Sequence, residues 1–170
     1  MHFKKITGLQ IAPREKIVSI LDDDLFEYPF LFLTGHGNIV FTDAEIKRLR
    51  LYLENGGFLF CNDDYGLDSN LRRELKKVFP DIPLVEVPWD HPIYHCWFSF
   101  PKGLPKIHEH DGKPPQGFGI FINGRLVLFY DYESDIANGW EEGWVYNDPP
   151  ELRQKAIEMG VNILCYTLMY

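Results

Sequence analysis

The 170-residue sequence has no apolar run approaching the roughly 18 residues that a membrane-spanning helix requires. Met1 to Gln10 lack the apolar centre of a secretory signal. Cysteine is scarce: Cys61, Cys96 and Cys165 form an odd set without C-x-x-C spacing, which disfavours a disulfide framework or a structural zinc site. Basic residues are in deficit, 17 Lys and Arg against 25 Asp and Glu, for a formal net charge of −8. A nucleic-acid backbone or an anionic membrane surface is therefore not an expected partner, since both demand clustered cations. No G-x-S-x-G elbow occurs, so a hydrolase nucleophile of that kind is excluded. His91 and His95 stand four apart, a zinc-ligand spacing. Pro92 occupies the place of the general-base Glu that metalloproteases use, so both are read as packing and capping residues.

What is present suits one domain over residues 1–170, with 45% hydrophobic content for a sizeable core. Its centre is Tyr28–Gly66, which reads as buried strand, polar loop, amphipathic helix, buried strand, polar loop. Phe30–Leu33 and Gly57–Cys61 are short apolar runs without polar alternation, as expected of parallel strands covered by helices on both faces. Between them, Thr42 and Glu45 form a capping box, Ile46, Leu49 and Leu53 share a face, and Asn55-Gly56 ends the helix. The fold class expected is α/β, a mostly parallel sheet flanked by helices in three layers.

Around that unit, Met1 to Gly8 reads as the last turns of a helix and Lys16–Leu21 as a strand rich in β-branched residues. Asp22-Asp23-Asp24 makes a solvated turn opening a short helical segment through Phe26. Asp68 or Ser69 caps a helix carrying Leu71, Leu75 and Val78 and stopped by Pro80, and a strand follows at Leu84–Val87. Asp90 or His91 caps a turn with Pro92 in its first position. His108-Glu109-His110-Asp111 reads as a solvated loop; alternation would put both histidines on one face only if the segment were extended. Gly119–Ile122 and Leu126–Tyr130 form a hairpin through Asn123-Gly124, a type I′ turn signal. The long loop Asp131 to Trp144 is expected to act as a lid or binding loop. Asp148 then caps a last helix running to about Tyr166, broad enough in its apolar face to cover the sheet.

Both strands of the central unit release their loops at the carboxyl edge, where open α/β sheets bind ligands. Gly35, His36 and Gly37 sit there, and the glycines either admit a ligand or merely shape a turn in which His36 satisfies a carbonyl. Asn62, Asp63 and Asp64 form the second loop. Asp63 and Asp64, being adjacent, point opposite ways in extended backbone, so only one can join His36 in an acid/base pair or a partial metal site. Glu133, Asp135, His91 or Glu141 would have to supply a further ligand. Cys61, at the end of a buried strand, is read as a core side chain. Trp140 and Trp144 either stack a sugar ring or pin down their own loop.

Tyr28–Gly37, Leu49–Asp64, Asp90–Pro105, Gly119–Asp135, a Gly-Trp pair and Val145–Leu168 together resemble the bacterial domain-of-unknown-function family 4159 over nearly the whole chain. That family is similar to the class I glutamine amidotransferase-like, flavodoxin-like fold, distantly to the trehalose-utilisation-like proteins, so the resemblance implies a fold more than an activity. Where an amidotransferase carries a glycine-flanked catalytic Cys, this chain has Phe60-Cys61-Asn62 and no matching His-x-Glu. Relatives carry a further strand and most of a helix before Thr7–Ile11, often behind a signal peptide or membrane anchor. The resemblance thus implies a domain short of the family's first strand, with an exported native form and a sheet edge that another chain could cover.

Three functional expectations follow. The first is a non-catalytic amidotransferase-like module binding a small polar ligand or partner protein at the carboxyl edge through Gly35, His36, Gly37, Asn62, Asp63, Asp64, Glu133, Asp135 and Trp140. The second is a hydrolase, metal-assisted or not, on a carbohydrate-like substrate, using His36 with Asp63 or Asp64. The third is an assembly unit forming homo-oligomers. No cofactor and no resident metal are expected.

Overall fold

The computed structural model describes residues 2–10, 12 and 14–170. Helix α1 (His2–Thr7) ends at Gly8, as its spacing suggests; Met1, where those turns were expected to begin, lies outside the described residues. Residues 16–21 correct the sequence reading: they form no strand. Val18 and Ile20 pack against a core while Ile17 points to solvent, and the Ser19 amide donates to Asp22 Oδ2, closing a turn in place of a ladder. β-Branched residues made the segment extended without supplying a partner strand. A 3-10 turn at Asp23–Glu27 buries Leu25.

The sheet follows in order β1 (Phe30–Leu33), β2 (Phe58–Cys61), β3 (Val85–Glu86), β4 (Phe118–Ile122) and β5 (Arg125–Tyr130). Spatially the order is β1-β2-β5-β4-β3. Strands β1, β2 and β5 pair in parallel, with Phe30 opposite Phe58 and Leu59 opposite Leu128. The pairings of β4 with β5 and β3 with β4 are antiparallel, so the open sheet is mixed and β4 alone opposes the other four strands. Asn123 and Gly124, at φ +50° and +82°, make the turn between β4 and β5 that the Asn-Gly pair demands.

Helix α2 (Asp43–Glu54) carries both halves of the capping box: Thr42 Oγ1 accepts from the Glu45 amide, and Glu45 Oε2 accepts from the Thr42 amide at 2.7 Å. Its Leu49, Tyr52 and Leu53 join Leu71, Leu75 and Val78 of α3 (Asp68–Val78) over Leu59, Cys61, Leu128 and Tyr130 of the sheet. The cap of α3 differs from expectation. Leu67, which has no side-chain acceptor, is the capping residue, while the Asp68 carboxylate lies inside the helix and accepts from Arg72 Nε and the Tyr130 hydroxyl. On the opposite face, α5 (Pro150–Met169) lays Ala156, Met159, Ile163 and Tyr166 over Phe58, Phe60, Leu126 and Phe129. Pro149, not Asp148, precedes its first turn, and α1 packs on its outer side through Phe3 against Val161 and Cys165. Helices thus cover both faces, and the apolar residues of β2 are divided between two cores, Leu59 and Cys61 beneath α2 and α3 and the phenylalanines Phe58 and Phe60 beneath α5. Each such ring contributes about 2–3 kcal/mol on burial. No helix among the described residues is long and apolar enough to cross a membrane.

Candidate functional site

Because β1, β2 and β5 are parallel, residues following each of them emerge at one edge: Thr34–Gly37, Asn62–Gly66 and Asp131–Asp135. The expectation of a lid at Asp131–Trp144 does not describe this last segment. Asp131, Glu133, Ser134, Asp135 and Ile136 are buried, the polar side chains among them bonded inward; Glu141, Glu142 and the short helix α4 (Gly143–Tyr146) stand out, with Trp144 exposed.

The inward groups form one network. Asp131 accepts from the Asp63 amide at 2.6 Å and from the Ile136 amide at 2.9 Å. Burial pushes its carboxyl well above the usual carboxylate range, against the pull of those two bonds. Asp63 accepts from the Tyr130 hydroxyl at 2.7 Å and from the Glu133 amide at 2.6 Å, so both its oxygens are occupied. Asn62 donates to Asp135 Oδ1 at 2.9 Å and accepts from the Ala137 amide at 2.8 Å. Glu133 accepts from Lys106 Nζ at 2.8 Å. Burial opposes its charge, but Lys106 and the Asp111 amide hold its carboxyl below the usual value. Glu133 and Asp135 both take left-handed backbone, φ +58° and +52°. Such conformations cost a non-glycine residue about 1 kcal/mol or more and persist only where the surroundings over-determine them, as these buried bonds do.

His110 closes the network and corrects its reading as part of a solvated loop. Its side chain is only 6% exposed; Nε2 lies 3.0 Å from Asp135 Oδ2 and Nδ1 lies 3.8 Å from Asp63 Oδ2. Asp135 first, then Asp63, raise its pKa to about 10 against the opposing effect of burial. The ring is therefore an imidazolium at neutral pH, a fixed cation rather than a base.

Above this floor lies a cleft of about 170 Å³ lined by His36, Asp64, Tyr65, His108, Asn138 and Tyr146, with His110 and Asp135 at its base. As adjacency predicts, Asp63 turns inward and Asp64 outward, and Asp64 is the carboxylate that meets His36: Nε2 to Oδ1 is 3.0 Å. The His36 side chain is 74% exposed, and Gly35 and Gly37 flank it at φ +141° and +79°, conformations that exclude most side chains. His108 Nδ1 faces Asp148 Oδ1 at 3.7 Å, and the rings of His108 and His110 are 6.0 Å apart. A second cleft, about 200 Å³, lies on the other side of Tyr65 and His110 against Ser69, Lys113 and Tyr132.

Of the expected site residues, Gly35, His36, Gly37, Asn62, Asp63, Asp64, Glu133 and Asp135 gather at this edge. Trp140 does not join them. Its indole donates to the Ala156 carbonyl at 2.9 Å and its ring packs 5.7 and 5.9 Å from Phe32 and Phe60, so it pins its own turn to α5. His91 caps the turn at Pro92–Tyr94 on the far side, beside Phe121 and Tyr166, and Glu141 lies exposed outside the cleft. Sequence reasoning missed Asp131, Tyr130, His108 and His110 as a group. The alternating His108 and His110 were the available signal, and they do face the same cleft. Among the described residues, no three His, Cys, Asp or Glu side chains are disposed to hold a metal ion. Cys61 is buried and burial pushes its thiol far up, away from the thiolate a nucleophile needs.

No curated protein matches the chain. The family model described as a domain of unknown function, DUF4159, matches residues 2–168, and the chain belongs to that family.

Proposed function

We propose that this chain is an amidotransferase-like module that binds a small polar ligand at the carboxyl edge of its sheet and does not hydrolyse glutamine. Support for the fold likeness comes from the parallel β1-β2-β5 core with helices on both faces and loops converging on one edge. Support for the lack of amidotransfer comes from Cys61, whose thiol lies in the core at the strand end where that chemistry would need an exposed thiolate.

The observation that carries the reading is the His36–Asp64 pair at 3.0 Å over the cleft. Its exposure means that folding draws little from it, whereas the network beneath is satisfied within the protein and provides a rigid floor. Tyr65 and Tyr146 add aromatic surface, and Asn138, His108 and Asp64 add donors and acceptors, a lining suited to a ligand bearing hydroxyl or amino groups. Nuclear magnetic resonance titration of the full chain with glucose, glycerol, glutamate and arginine tests it. Saturable shifts at His36, Tyr65 and Tyr146, lost in Asp64→Ala, are expected; cleft resonances unmoved by every probe at millimolar concentration would contradict it.

A second reading, a hydrolase, is favoured by the same contact, because an imidazole oriented by a carboxylate is the arrangement of a general base. Asp64 would be the partner, since it meets His36, whereas Asp63 is buried and bonded inward to Tyr130 and the Glu133 amide. Turnover of aryl glycosides or aryl esters that Asp64→Asn reduces by a hundredfold or more would establish it in place of the first.

A further inference from the structure

We propose that a groove at the opposite edge of the sheet binds a small amphipathic carboxylate, its apolar body in the groove and its charge at Lys76. Helix α3 starts at the carboxyl edge, just after Gly66, and runs back along the sheet, so its last turn and the 79–84 segment lie toward the amino edge. There a groove of about 370 Å³ opens, within the roughly 300–1,000 Å³ typical of small-molecule sites. Leu75, Phe79 and Ile120 form its floor and are 2%, 2% and 1% exposed; Ile82 and Leu84 form half-buried walls.

The charges at the rim determine the class of occupant. Asp81, the only rim carboxylate among the described residues, is already neutralised by Arg50, whose Nη1 and Nη2 reach its two oxygens at 2.8 and 3.1 Å. Arg72 is committed to Asp68 at 2.6 Å and lies 4.3 Å from the Phe118 ring centre. Lys77, beside the groove, is held by both oxygens of Glu74. Lys76 has no ion-pair partner among the described residues and borders the apolar lining. Among the described residues the groove therefore presents one uncommitted cation, Lys76, beside an apolar lining, and that local pairing of charge with apolar surface suits an anion carried on an apolar body. A peptide adding as a strand fits less well, since the neighbouring edge strand β3 offers only two residues of ladder.

The test is a nuclear magnetic resonance titration of the full chain with octanoate, and in parallel with 1-octanol. Octanoate should give saturable shifts at Leu75, Phe79, Ile82 and Leu84 and bind more tightly than octanol. Lys76→Glu should weaken octanoate roughly five- to tenfold, the loss of one exposed ion pair and its replacement by repulsion. Octanol affinity should be unchanged by it. Lys76 is exposed and unpaired, so that variant keeps its fold, which its thermal melt verifies. His36→Ala should leave octanoate binding untouched, keeping this site separate from the carboxyl-edge cleft. Absence of saturation, equal affinity for octanol, or an unaffected Lys76→Glu would each overturn the proposal.

Discussion

The His110 imidazole donates through Nε2 to Asp135 Oδ2 across 3.0 Å, and so ties the segment before the hairpin to the loop after it. With Asp63 on its other nitrogen, the ring is held as a cation between two buried carboxylates. The folded pKa of about 10 exceeds the ordinary 6.5, so the folded state binds the proton more tightly than the unfolded chain. The resulting stability is fully present below pH 6.5 and is lost as pH rises through about 10. Urea titrations across that window should show the parent weakening steadily. His110→Gln, which leaves Asp63 and Asp135 without their cation, should be less stable near pH 6 by about 3 kcal/mol and lack that decline.

The capping box of α2 gives a local calibration. Thr42→Ala removes the acceptor for the Glu45 amide without touching the core, so unfolding should become easier by about 1 kcal/mol. A loss above about 2 kcal/mol in chemical denaturation would mean that Thr42 serves more than the helix terminus.

Cys61 supplies a chemical test of the non-amidotransferase reading. Its side chain is fully buried and its thiol is held protonated by burial, with Asp131 adding to the effect. Iodoacetamide followed by peptide mass mapping should leave Cys61 unlabelled in native protein and modify it only in denaturant. Rapid native labelling at Cys61 would reveal an activated thiol and contradict the reading.

Much of this architecture was legible because it is local. The box at Thr42 and Glu45, the Asn123-Gly124 turn and the apolar runs at Phe30 and Phe58 depend on neighbours within a few residues. Residues 16–21 misled because a β-branched composition makes extended backbone without guaranteeing a partner strand. The direction of β4 followed from the hairpin turn, but its placement between β5 and β3 depends on pairing at a distance. The division between Asp63 and Asp64 was readable from alternation alone. The burial of His110 was not, because it depends on Asp63 and Asp135, 47 and 25 residues away in a chain numbered without regard to space. Asp131 likewise reads as a loop acid until the Asp63 amide is seen to need it.

The measurement that most directly tests the central claim is the unfolding free energy of His36→Ala against the parent. His36 is exposed, and among the described residues its one polar contact with a side chain is to Asp64, so the account predicts a change within about 0.5 kcal/mol. A loss greater than about 2 kcal/mol would place His36 in the scaffold, as part of a buried hydrogen-bonded network, and would remove the proposed binding edge's central residue.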